Sequence, residues 1–158
     1  MQAEHINPFL RSLANTFTMM FDCEVRRGPL GVTTGGSRKY PISGVIGLSG
    51  RAVGTVVINL SEEVALKAAS ALMLTELTEV DDDVIDAVGE LANIVAGAAK
   101  AELEEFELSV SLPNVVIGKG HEIRFPTNAK PICVPYDTDF GPLLLEVGLE
   151  AVAAPAGA

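Results

Sequence analysis

Ile42-Ser-Gly-Val-Ile-Gly-Leu48 and Ala52-Val-Gly-Thr-Val-Val-Ile-Asn-Leu60 are two runs rich in β-branched residues, joined through Ser49-Gly50-Arg51. The short glycine-containing link predicts a β-hairpin, and therefore antiparallel pairing. Ser61 follows directly, with Glu62 and Glu63 behind it. A serine oxygen can accept from the free N–H groups of a first helical turn, and the helix dipole favours carboxylates there. This predicts a helix to about Leu74 that buries Val64, Ala68 and Leu72. A strand pair that closes before a helix begins points to helices layered on an antiparallel sheet, an α+β fold, and not to a doubly wound one.

Upstream, Asn7-Pro8 reads as an N-cap and first helical position, and Phe9, Leu13, Phe17 and Met20 recur at helical spacing to about Phe21. Gly28-Pro29 and Gly35-Gly36 mark a loop or a distorted strand. Downstream, Thr75 to Val80 form a connection, and Asp81-Asp82-Asp83 opens a helix expected to reach about Glu105. Four strand candidates follow: Glu107 to Leu112, Val115 to Gly118, Pro131 to Pro135 and Leu143 to Leu149, punctuated by Pro113, Gly118, Gly120, Pro126 and Pro142. Residues 1–150 read as one domain, and Ala151 to Ala158 as a flexible tail of small residues.

Hydrophobic residues make up 48% of the 158, aromatics 5%, and there is no Trp, so the core must be built from Val, Leu, Ile and Ala. A net charge of −10 argues against nucleic acid or an anionic membrane surface as partner. The first residues lack a basic segment followed by an apolar run, and no apolar stretch approaches the roughly 20 residues that span a bilayer. The cytoplasm is the expected compartment. Cys23 and Cys133 lack ligand spacing and read as reduced thiols, with a disulfide left open. His5 and His121 are isolated, and Asp137 and Asp139 read as a solvated turn. No nucleophile elbow, zinc motif, P-loop or dinucleotide fingerprint is present. The glycines at 44, 47, 50 and 54 suit twist or close packing better than a phosphate.

The helix from Asp81 carries the one unusual pattern. At about 100° per residue, Asp86, Glu90, Asn93, Gly97, Lys100 and Glu104 fall on one stripe, opposite Val84, Val88, Leu91 and Val95. Asn is a poor helix former, and Gly89 and Gly97 each cost about 1 kcal/mol against Ala. Surface polarity alone explains an isolated E-x-x-N. A carboxylate and a carboxamide supply neither a nucleophile nor a metal cage, but they could complete a partner's site. An amide can orient a water, a carboxylate can hold a lysine, and small residues allow close approach.

The segment resembles the phosphatase motif of the CheC/CheX/FliY family, in which Ser or Asp precedes E-x-x-N on a helix and a Pro follows. Here these are Asp86, Glu90, Asn93 and Pro113, the Pro standing a few residues early. The N-terminal helix, the hairpin at 42–60 and the Ser61-Glu-Glu-Val-Ala-Leu-Lys67 helix follow in the same order, over about residues 5–150, and the single E-x-x-N is most similar to the CheX branch. The resemblance implies a CheC-like fold with a pseudo-two-fold internal repeat, and hydrolysis of the phosphoaspartate of a CheY-like response regulator. Glu90 would dock the regulator's Lys and Asn93 would orient the attacking water. Asp86, Gly89, Gly97 and Lys100 would line the docking face. Mg²⁺ would belong to the regulator, with no metal or cofactor on this chain. It also implies a homodimer joined through edge strands, for which the weakly charged run Val53 to Leu60 looks suited. The alternatives are a module that binds a regulator without hydrolysis, or a small-ligand sensor with a sizeable apolar pocket. A faint internal echo, Ser12-Leu-Ala-Asn15 against Glu90-Leu-Ala-Asn93, suggests a degenerate second copy. Its Ser12 and Asn15 would lie on the flank of the first helix.

Overall fold

The computed structural model describes residues 3–32, 36–125 and 130–153; Gly35, Pro126 and the tail from Ala154 lie outside them. The chain runs α1 (Ala3–Phe21), β1 (Val25–Arg27), β2 (Gly31–Val32), β3 (Ile42–Ser49), β4 (Ala52–Leu60), α2 (Glu62–Met73) and α3 (Asp82–Ala101). After a 3₁₀ turn at Glu104–Phe106 come β5 (Ser109–Val110), β6 (Asn114–Ile117), β7 (Ile132–Thr138) and β8 (Gly141–Ala151). The sheet is antiparallel, in the order β1-β7-β8-β4-β3-β5, with β2 also pairing β7 and β6 pairing β3. The hairpin forms as expected, Ile42 opposite Leu60 through Leu48 opposite Gly54.

Strand alternation gives the sheet two faces. Ile46, Val56, Leu145 and Val134 point to the helices and are fully buried with Phe9, Leu13, Phe17, Val84 and Val95. Gly44 is where α3 comes nearest. A Cβ there would lie 3.0 Å from the Ala92 methyl and 3.3 Å from the Val88 carbonyl. The other face is polar beneath the segment from Gly118 to Phe125, after β6. Arg38 Nε stands 2.8 Å from Glu146 Oε1, both side chains almost fully buried, and the guanidinium donates to the carbonyls of Gly36 and Ile123.

Both capped helices start where the sequence places them. Ser61 Oγ accepts from the Val64 N–H, and Asp81 Oδ1 from the Val84 N–H. Leu74 ends α2 in the left-handed region at φ 54°.

Several expectations fail for physical reasons. α1 begins at Ala3, so Pro8 sits inside the helix. Its missing N–H costs one bond, while fully buried Ile6 and Phe9 on either side hold the turn in place. Met20 is exposed, and Phe21 is the buried residue at that end. Ser12 is buried too, its hydroxyl donating to the Val95 carbonyl of α3 at 2.7 Å. α3 stops at Ala101, so Glu104 leaves the stripe for the 3₁₀ turn. β4, which covers Val53 to Leu60, is central between β3 and β8 and offers no edge. The stretch around Gly28-Pro29, read as a loop or a distorted strand, carries two short strands on β7: β1 of three residues and β2 of two. Asp137 lies in β7, and with Asp139 it holds Arg26 of β1 at 3.3 Å. The Glu24 N–H and the Arg26 guanidinium keep the Asp139 carboxyl below its ordinary range.

Candidate functional site

Asp81 and the buried stripe of Val84, Val88, Leu91 and Val95 fix the rotation of α3, leaving the opposite stripe outward. Asp86, Glu90 and Lys100 are exposed, and Asn93 and Gly97 are half-buried. Glu90 and Asn93 are three residues apart and so neighbours on one face. Among the described residues, no hydrogen bond or ion pair engages either side chain.

Gly89 is different. It is buried, and a Cβ there would lie 3.3 Å from Pro113 Cγ and 3.6 Å from Val115 Cγ2. The close approach at this glycine is made by the chain's own Pro113. Ile85, Asp86, Gly89 and Glu90 on α3, with Pro113, Asn114 and Val115 across from them, line a recess of about 290 Å³. Two carboxylates one helical turn apart face it, so it favours a cationic group. Asn93 lies outside this lining, one turn further along. Gly97 and Lys100 are about 10 and 15 Å from Glu90 along the helix axis. Among the described residues, nothing beyond the neighbouring backbone of its own helix lies within 4 Å of a Cβ built on Gly97, so a partner could come close there.

The profile of the family described as chemotaxis phosphatase CheX matches residues 42–137, a span that holds both hairpin strands, α3 and Pro113. The chain belongs to this family. It is 30% identical over 145 residues to the CheY-P phosphatase CheX of Thermotoga maritima, a match covering 89% of this chain and 94% of that protein. The fold is similar to that of a CheC-like superfamily protein from Shewanella sp. PV-4. There the TM-score is 0.87 at 31% identity, over 96% of this chain and 100% of the other. It is also similar to a chain of the CheX–CheY–BeF3–Mg²⁺ complex from Borrelia burgdorferi. That match has a TM-score of 0.80 at 25% identity and covers 94% and 99% of the two chains.

Beyond the outer stripe of α3, the fold assembles a pair that no local pattern could reveal, since its members are 78 positions apart. Ser43 Oγ and His121 Nε2 are 2.7 Å apart, and His121 Nδ1 is 2.8 Å from the Gly118 carbonyl. A carbonyl only accepts, so Nδ1 carries a proton; in the neutral ring Nε2 then accepts from the serine. Ser43 Oγ also accepts from Asn59 Nδ2 at 2.9 Å and is fully buried. A nucleophile would need access to a substrate, so this pair braces the polar face of the sheet. A groove of about 510 Å³ lies over Gly47, Leu48, Val53, Gly54, Val110 and Ser111. It is wide open to solvent, where a small-ligand sensor would need an enclosed pocket. Among the described residues no helix is long and apolar enough to cross a membrane. No group of three or more His, Cys, Asp and Glu side chains there is placed to hold a metal ion.

Proposed function

We propose that this protein accelerates hydrolysis of the phosphoaspartate of a CheY-like response regulator. The observation that carries the reading is the free Glu90–Asn93 pair on the outer stripe of α3, in a chain of the CheX family. The regulator supplies the phosphoaspartate, its Mg²⁺ and a lysine. Glu90 pairs with that lysine beside the recess. The Asn93 carboxamide reaches the regulator's site and orients a water in line with the phosphorus–oxygen bond to aspartate. The water oxygen bonds to phosphorus, that bond breaks, and inorganic phosphate leaves with the aspartate carboxylate restored. Phosphoryl transfer asks mainly for positioning and charge stabilisation, and the partner already holds the charge. Asp86, Gly97 and Lys100 widen the docking face, while Gly89 acts through Pro113. The reaction belongs to the cytoplasm, where regulators of this type operate.

Phosphate release from the purified phosphorylated regulators of the same genome tests this. Asn93→Ala is expected to lower kcat, and Glu90→Ala to raise KM, since truncating one partner of a buried charge pair costs about 2–5 kcal/mol. Release from the Asn93→Ala protein at the unaltered rate would remove the catalytic role. We further propose a homodimer formed at the outer strands, not through β4. Light scattering that gives the monomer mass at micromolar concentration would contradict it.

A further inference from the structure

Leu112 is 87% exposed, and it precedes the proline that lines the recess beside Glu90. A single exposed leucine is unremarkable by itself. This one is set on a fastened backbone. The Ser111 N–H donates to the Gly47 carbonyl at 2.9 Å, and Ser111 Oγ accepts from the Gly47 N–H at 2.8 Å. The same hydroxyl donates to the carbonyl of Leu112 at 2.9 Å. On the other flank Pro113 is seated on Gly89, and Asn114 begins β6, opposite Val45.

We propose that Leu112 is the apolar anchor that holds the response regulator against α3, an inference that rests on the phosphatase reading above. Proximity supports it. One peptide link joins Leu112 to Pro113, Pro113 touches Gly89, and one link joins Gly89 to Glu90. The Cα atoms of Leu112 and Glu90 are thus within about 14 Å, well inside the footprint of a protein interface of about 800 Å² per partner. Energetics supports it as well. Interfaces draw most of their affinity from a few apolar or aromatic anchors, and a backbone already ordered loses little freedom on binding. Glu90 reads one lysine, and an adjacent leucine requires apolar surface beside that lysine on the regulator. The leucine therefore selects among regulators that all carry the lysine.

The test is phosphate release with a phosphorylated regulator that the unaltered protein dephosphorylates, with Asn93→Ala run in parallel. Leu112→Ala is expected to raise KM roughly tenfold and leave kcat within about twofold, while Leu112→Met keeps KM near its original value. The exposed position leaves folding intact, and circular dichroism checks that. A fall in kcat with KM unmoved overturns the anchor role. So does wild-type KM in Leu112→Ala while Asn93→Ala is inactive, an outcome that spares the phosphatase reading. Full activity in Asn93→Ala sinks that reading instead. A Leu112→Ala protein whose mass in light scattering drops from dimer to monomer would assign the leucine to self-association, and the inference would fail.

Discussion

α1 and α3 carry the same short phrase, Ser12-Leu-Ala-Asn15 and Glu90-Leu-Ala-Asn93, yet the fold uses the two differently. In α3 the first position is exposed and its carboxylate is unengaged. In α1 the first position is 4% exposed and its hydroxyl is spent on the Val95 carbonyl of α3 itself. Thr16 repeats the habit one turn later by donating to the Ser12 carbonyl. The second leucines, Leu13 and Leu91, are buried in both helices. The lesson is that the core stripe is shared while the flank is reassigned. Where two helices pack together, a short hydroxyl next to the seam is drawn into it. A carboxylate at that place would be desolvated without a partner.

The largest effect is expected from forcing α1 to copy α3. Ser12→Glu places a charge against the Val95 carbonyl in a packed seam and should destabilise the fold by about 3–5 kcal/mol, as an uncompensated buried charge does. Urea denaturation would measure it. A loss under 1 kcal/mol would mean that the seam can open, and that the two helices differ less than their burial suggests. Next comes the amide pair. Asn93→Ala should cost on the order of a hundredfold in kcat, the scale of lost positioning at a reacting centre. Asn15→Ala, exposed on α1, should leave phosphate release unchanged. Equal losses from both would mean that each chain has two working sites.

Periodicity made much of this legible. The hairpin, the Ser61 and Asp81 caps and the α3 stripe all follow from local chemistry, so short windows contain them. What stayed hidden was set by contacts distant in sequence. Ser12 is decided by Val95, and Gly89 by Pro113. Arg38 is decided by Glu146, and His121 by Ser43. The start of α1 fell to a local rule outvoted by tertiary packing, since buried Ile6 holds a helical turn ahead of Pro8. Val53 to Leu60 read as a possible edge because its low charge suits an edge and a central strand alike; only the pairing with β8 distinguishes them.

A smaller effect should come from the glycine contacts that set α3 in place. Gly89→Ala would put a methyl 3.3 Å from Pro113 Cγ, so the proline must yield slightly. Gly44→Ala meets the Ala92 methyl at 3.0 Å and the Val88 carbonyl at 3.3 Å, where the helix itself must shift. Overpacking of that kind costs about 1–3 kcal/mol. At position 89 the helical alanine recovers about 1 kcal/mol of propensity, so Gly44→Ala should be the more destabilising of the two. The reverse order would show that Pro113 is held more rigidly than α3.

The smallest effect is expected where a polar group is left over by packing, in contrast to the α3 pair, which is free because it faces outward. Tyr136 on β7 is 4% exposed, and among the described residues its hydroxyl has no hydrogen-bond partner. Burial pushes the phenol up to about 12, against about 10 for an open tyrosine. Between those values the folded state keeps a proton that the unfolded chain has released. Stability therefore falls as pH rises through that window. Tyr136→Phe removes the stranded hydroxyl and its titration together. It should stabilise the protein at neutral pH by about 1 kcal/mol, the lower end of what an unsatisfied buried group costs. It should also flatten the loss of stability above about pH 10. Denaturation curves for both proteins at pH 7 and at alkaline pH would test both halves. A Phe variant less stable at pH 7 would mean that the hydroxyl has a partner in solution, a buried water being the simplest, and the contrast with the α3 pair would lose its force.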